Sequence, residues 1–236
     1  MIPLRDANPT RRLPLITILL IVACLVVFAY ELGIESEGGQ DALYRFFLDH
    51  GAVPSRIHAA LVSGRGLPSA GADIVTSMFL HGSWLHVLGN MLYLWIFGNN
   101  VEDRIGRLVF VPFYLVGGCI AALAQIAIDP TSPVPLVGAS GAIAAILGAY
   151  VVLFPRARVM SLVFLGFFYQ LIEVPALVVL GFWFVLQLID GLTSLGAPSG
   201  SDAGVAFFAH IGGFALGLAA GWLVRMARPR PTVRVG

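Results

Sequence analysis

Apolar runs recur along the chain, and short polar or proline-containing breaks separate them. Residues 13–32, 83–97, 108–128, 137–153, 174–192 and 205–226 each read as one helix. Most are near the roughly 20 residues that a helix needs to cross the hydrocarbon of a bilayer. Pro155 ends the fourth. The first run follows Arg11 and Arg12, as in a signal peptide. It is too long for one and no small-residue cleavage site follows, so it is expected to remain as a first membrane helix. Between the first two runs a loop is expected over residues 33–73, holding short amphipathic pieces at 43–48 and 57–61. Loops of this length usually carry function or structure of their own. The apolar stretch 159–172 is too short to span and reads as an interfacial or buried linker.

Composition agrees with this reading. The chain is 58% hydrophobic and 11% charged, where a soluble domain carries about a quarter charged residues. Its mean hydropathy is +0.89. Unpaired backbone groups are not tolerated in lipid, so the spans should be helices. The alternation of barrel strands is absent. The expected fold is thus all-α: a polytopic bundle of six membrane helices with a long loop between the first two. Three parts are expected: a cytoplasmic tail at 1–12, a membrane domain at 13–226 and a basic cytoplasmic tail at 227–236.

Charge placement supports six spans. All fourteen basic residues are arginines. With six helices, eleven of the fourteen fall on the side of the two termini; Arg45, Arg56 and Arg65 in the long loop are the exceptions. The positive-inside rule then places both termini in the cytoplasm. A seventh span at 159–172 would move the C-terminal arginines outside. No basic patch with interleaved aromatics suggests nucleic acid. Cys24 and Cys119 lie in apolar runs and read as filler, not as a disulfide or metal site.

In this topology the second, fourth and sixth helices all enter from the outer side. His86 and Asn90 then lie in the outer half of the second helix, with His81 just before it. Ser140 is the fourth residue of the fourth helix and His210 the sixth of the sixth. At about 1.5 Å rise per residue, these groups share one layer. Each has a plain reading alone: serine as helix packing, histidine as an interfacial anchor, asparagine as interhelical glue. An intramembrane ionisable group is nonetheless a functional candidate. Glycine spacing adds to this. Ala209, Gly213, Gly217 and Gly221 recur every four residues, and Gly141, Ala145 and Gly148 share a face of the fourth helix. Such small-residue stripes let helix backbones approach closely, which would bring Ser140 within reach of His210.

A serine hydroxyl is a weak nucleophile until a base takes its proton, and histidine suits that task. Acyl transfer also needs donors for the developing oxyanion. His86 and Asn90 are four residues apart and share a helix face. The Ser140 N–H sits in a first helical turn, where such groups lack intrahelical acceptors. Gly138 and Gly141 leave room for a substrate backbone. Other protease chemistries fit poorly. Ala142 breaks a G-x-S-x-G elbow, His81 and His86 do not form H-E-x-x-H, and Asp190 is the sole candidate for an intramembrane acid pair. No carboxylate is evidently placed to orient His210, so a Ser–His dyad is expected.

The motifs HGSWLHVLGN (81–90), VEDRIG (101–106), GASG (138–141) and AHIGGFALG (209–217) occur in order. Together they resemble the rhomboid family of intramembrane serine proteases over residues 13–226. The resemblance implies Ser140 as nucleophile and His210 as general base and acid. It implies an oxyanion hole of His86, Asn90 and the Ser140 N–H, with Gly138, Gly141, Gly213 and His81 shaping the site. Glu102 and Arg104 match a structural polar network. No cofactor or metal is implied. The implied substrates are transmembrane segments of other proteins, cut near their outer ends, and the implied setting is a bacterial plasma membrane with the site open to the outer face. Four residues after the serine, where the family often has an aromatic stacked on the histidine, stands Ala144; Phe207, Phe214 or Trp183 could fill that space. The segment 194–204, rich in Gly and Ser, is expected to be a mobile cap. Two other functions compete: a non-catalytic rhomboid-like protein that binds client helices, and a channel or transporter. The second lacks the buried acids and broken midplane helices it would need.

Overall fold

Helix α1, Leu15–His50, runs well past the end of the first apolar segment in the computed structural model, which describes residues 1–165, 168–194 and 206–227. Thr17, Cys24, Phe28 and Glu31 form its buried face. What ends near residue 32 is apolarity, not helicity, because Glu35, Ser36 and Glu37 interrupt hydrophobicity without breaking a helix. Gly39, with φ of 71°, kinks the helix, a conformation that glycine adopts without steric cost. The loop expected at 33–73 is therefore mostly helical: the rest of α1, then α2 (Pro54–Ser63) and α3 (Leu67–Ser77). The amphipathic pieces noted at 43–48 and 57–61 lie in α1 and α2.

Helix α4 (Trp84–Tyr93) passes through a π-helical turn, Leu94–Gly98, into α5 (Asn99–Ile105). Helix α6 spans Arg107–Ile128 and α7 spans Ser140–Leu153. The described residues of the stretch 159–172 form strands instead of a linker. Strands β2 (Arg158–Leu165) and β3 (Phe168–Pro175) pair antiparallel, and β1 (Ile2–Asp6) adds on the other edge of β2. A small sheet thus joins the otherwise helical fold, and the N-terminal tail is part of it. Helices α8 (Ala176–Ser194) and α9 (Phe207–Ala227) complete the chain. The proposed cap at 194–204 lies, apart from Ser194, outside the described residues, as do the arginines beyond Ala227.

Among the described residues, α1, α6 and α9 are long and apolar enough to cross a membrane; α7 and the Ala176–Ile189 part of α8 are apolar but shorter. Helix α7 is the centre of the fold. It is buried on all sides from Gly141 to Tyr150, as expected of a helix apolar all round. Its closest neighbour is α9, and the two meet backbone to backbone. A Cβ on Gly213 would overlap the Gly141 carbonyl, one on Gly217 the Ala145 carbonyl, and one on Gly148 the Phe214 carbonyl. The four-residue small stripes of the two helices thus interlock, as their spacing suggested.

Carboxylates tie the remaining elements to this centre. Glu102 is 2% exposed and caps α1 from outside it, accepting from the backbone N–H of Ile16 (3.1 Å) and Thr17 (2.8 Å) and from the Thr17 hydroxyl (2.8 Å). A negative charge at a helix N-terminus is favourable. Arg107 lies 3.6 Å from Glu102 and donates to the Leu13 carbonyl at 2.6 Å; Arg104 sits on the same short helix as Glu102. Asp6 fastens the sheet, accepting from the Tyr150 hydroxyl (2.8 Å) and the Asn100 side chain (2.7 Å). Burial pushes the Asp6 carboxyl above its ordinary range, while its hydrogen bonds act the other way.

Substitution of Gly217 by Val should cost about 3 kcal/mol or more, because an Ala145 backbone carbonyl occupies the space. The Gly71→Ala change in α3, where nothing lies within 4 Å of the new methyl, should be neutral or slightly stabilising. Thermal unfolding of both variants beside the wild type in one detergent checks this contrast.

Candidate active site

Helix α7 begins at Ser140 for local reasons. Prolines 133 and 135 keep the preceding chain extended, and Leu136 pairs with Ala52. Gly138, at φ of 123°, turns the chain into the helix, its N–H bonded to the Ser77 carbonyl at 2.8 Å. The turn leaves Ser140 as the first helical residue. A Cβ on Gly138 would lie 2.6 Å from His86 Nε2 and 3.6 Å from Asn90 Nδ2, so a glycine is needed here for both its φ and its closeness to α4. Gly141 lies against Ala121 of α6 and Gly213 of α9 lies against Gly141; small residues at these points draw three helices together.

The close approach of α7 and α9 places the Ser140 hydroxyl 2.7 Å from His210 Nε2. The other ring nitrogen, Nδ1, lies within hydrogen-bond distance of the side-chain carbonyl oxygen of Gln187 on α8. Trp183, one turn earlier on α8, flanks the His210 ring with centroids 5.7 Å apart, and Phe214 backs Trp183 at 6.2 Å. Of the three aromatics considered for the space left by Ala144, Trp183 is the one beside the ring. Ala144 itself is fully buried, its methyl facing Gly213. Phe207 is the first residue of α9.

On the opposite wall, Ser83 caps α4 by accepting from the His86 N–H at 3.2 Å. His86 and Asn90 follow on one face. Asn90 is 8% exposed, and its Nδ2 is a buried donor with no acceptor. Such a donor costs free energy unless a ligand or water uses it. A cavity of about 660 Å3 connects these groups; His86, Asn90, Ser140, Trp183 and His210 all line it. Serine, histidine and amide therefore face one space. A carbonyl bound there would meet a hydroxyl, a base and at least one hydrogen-bond donor. Among the described residues, no group of three or more His, Cys, Asp or Glu is placed to hold a metal.

His81 stands behind this wall, fully buried, its ring edge-on to His86 at 5.1 Å. Its Nδ1 lies 3.1 Å from the Phe79 carbonyl, and its backbone N–H donates to both oxygens of Glu31 (3.1 and 3.2 Å). Glu31 and Gln187 escape a reading of the sequence. Each is a polar residue directly preceded by a long apolar run of its helix, and that placement is the signal that could have found them.

A family model described as the Rhomboid domain matches residues 69–227. The chain is similar to yeast (Saccharomyces cerevisiae) Rhomboid protein 1, mitochondrial, at 30% identity over 66% of this chain and 42% of that protein. It is similar to zebrafish (Danio rerio) Presenilin-associated rhomboid-like protein A, mitochondrial, at 33% over 36% of this chain and 23% of that one. Arabidopsis thaliana Rhomboid-like protein 11, chloroplastic, is 38% identical over 30% of this chain and 25% of that protein. The chain thus spans less than half the length of these relatives. Their names place them in organelles, which conflicts with the bacterial setting expected from the sequence.

Replacing Glu31 with Ala should leave the His81 N–H without its buried acceptors and loosen the turn before α4. Hydrogen–deuterium exchange over residues 79–83 should then be faster by about fivefold or more, given about 1 kcal/mol for a buried hydrogen bond; Glu31→Gln, which keeps one acceptor oxygen, should show a smaller change.

Proposed function

Because the chain belongs to the rhomboid family, we propose that it is an intramembrane serine endopeptidase that cleaves transmembrane segments of other proteins. The observation carrying this reading is the 2.7 Å contact from Ser140 to His210 Nε2, at a cavity shared with the unpartnered Asn90 amide. The family is mostly serine proteases, with some inactive members, and the inactive kind does not need this pairing.

The reaction runs in two halves. The Ser140 Oγ attacks the scissile carbonyl as His210 Nε2 takes its proton. The oxyanion is held by Asn90 Nδ2, by His86 and by the Ser140 N–H at the start of α7. His210 hands the proton to the leaving amine as the C–N bond breaks, and an acyl-enzyme remains on Ser140. Water then attacks this ester, giving one proton to His210, which returns it to Ser140 as the carboxylic acid product leaves.

The membrane domain in this reading is residues 13–226, with six spans formed by α1, the α4–π–α5 segment, α6, α7, α8 and α9. Both termini are cytoplasmic, as the arginine distribution favours. The site then lies in the outer half of the bilayer, where water can reach it. Gly213 and Gly141 serve by letting α9 approach α7, and Glu102 and Arg104 belong to the cytoplasmic end.

The test is cleavage of a quenched-fluorescent peptide carrying one transmembrane segment, with the full chain in liposomes. Wild type should cut it, and Ser140→Ala and His210→Ala should each reduce cleavage to background while keeping the melting temperature. Asn90→Ala should lower kcat by about 100-fold. A folded wild type that does not cut a panel of such peptides would favour the client-binding alternative.

A further inference from the structure

Resting on the protease reading, we infer that Gln187 is a positioning residue: its side-chain carbonyl fixes the His210 tautomer that can accept the Ser140 proton. A neutral imidazole carries one N–H. A carbonyl oxygen can only accept, so its contact with Nδ1 places the hydrogen there. Nε2 is left with a free lone pair, and that is the nitrogen 2.7 Å from the Ser140 hydroxyl. The opposite tautomer would point an N–H at the serine and could not take its proton. In a serine protease triad a carboxylate does this orienting work; here an amide holds that place.

Helix α8 holds the ring by two contacts one turn apart. Trp183 lies tilted against the ring and Gln187 meets the far nitrogen. Among the described side chains, the titratable group facing His210 from another element is His86 of α4. Helix α7 presents Ser140, and α6 presents Gln125, whose oxygen accepts the Phe208 N–H at 3.1 Å beside His210. Gln187 therefore orients the base without adding a charge. A carboxylate in its place would stabilise the imidazolium and so delay, on raising the pH, the return of the neutral base.

Two substitutions separate this role from a structural one. Gln187→Met keeps length and apolar packing but removes the acceptor. Gln187→Glu keeps an acceptor oxygen and brings a charge. With the full chain in liposomes and the quenched-fluorescent transmembrane peptide, Gln187→Met should lower kcat about tenfold or more with little change in KM. Gln187→Glu should restore much of kcat and move the acid limb of the pH–rate profile up by about one unit or more. Unchanged kcat in a folded Gln187→Met would overturn the inference. So would equal losses in Met and Glu variants with no displacement of the pH profile, which is what a packing role would give. In both cases the wild type still turns over. A wild type without turnover would instead overturn the protease reading beneath it.

Discussion

The contact between the backbones of α7 and α9 governs the geometry of everything near it. Ordinary helices pack 8–10 Å apart because side chains keep them so. Here Gly213, Gly217 and Gly148 each meet a carbonyl of the opposite helix with no room for a methyl. In lipid no hydrophobic force drives helices together, so such van der Waals contact is the means of association. Ser140 and His210 sit at one end of this seam, and their 2.7 Å separation follows from it. Larger residues along the stripe would part the helices and separate hydroxyl from base.

The elements around this seam are fixed by hydrogen-bonded carboxylates, two of them buried and Asp6 half-buried. Glu102 caps α1, Glu31 holds the turn before α4, and Asp6 ties the small sheet to Tyr150 at the far end of α7. Burying a carboxylate is costly unless donors meet it; Glu102 and Asp6 each accept from several groups, and Glu31 from the His81 N–H. Asn90 Nδ2 is different: it is buried and has no acceptor. In the proposed mechanism that open valence is matched to a charge that exists only during reaction. A donor fixed in advance need not reorganise when the oxyanion forms.

Much of this was legible in the sequence because helix periodicity converts spacing into position. Ser140, His210, His86 and Asn90 could be placed at one depth by counting residues from helix starts, and the glycine stripes indicated which helices would close. Elements set by distant partners were not legible. Residues 159–165 and 168–172 lie in two paired strands, which short apolar runs do not distinguish from helix, and the third strand comes from the opposite end of the chain. The segment after residue 32 turned polar, and its glycines kink α1 at Gly39 without ending it, so helix continued where a loop was expected. Glu31 and Gln187 were hidden because an isolated polar residue shows its importance only once its partner is known.

The most direct measurement is a structure of the chain after reaction with a fluorophosphonate, whose tetrahedral phosphorus imitates the intermediate of acyl transfer. The account predicts a bond from phosphorus to Ser140 Oγ, with the phosphoryl oxygen about 2.7–3.1 Å from Asn90 Nδ2 and the Ser140 N–H, and α7 and α9 unmoved. An adduct on any other residue, or a phosphoryl oxygen turned away from Asn90 and His86, would contradict it.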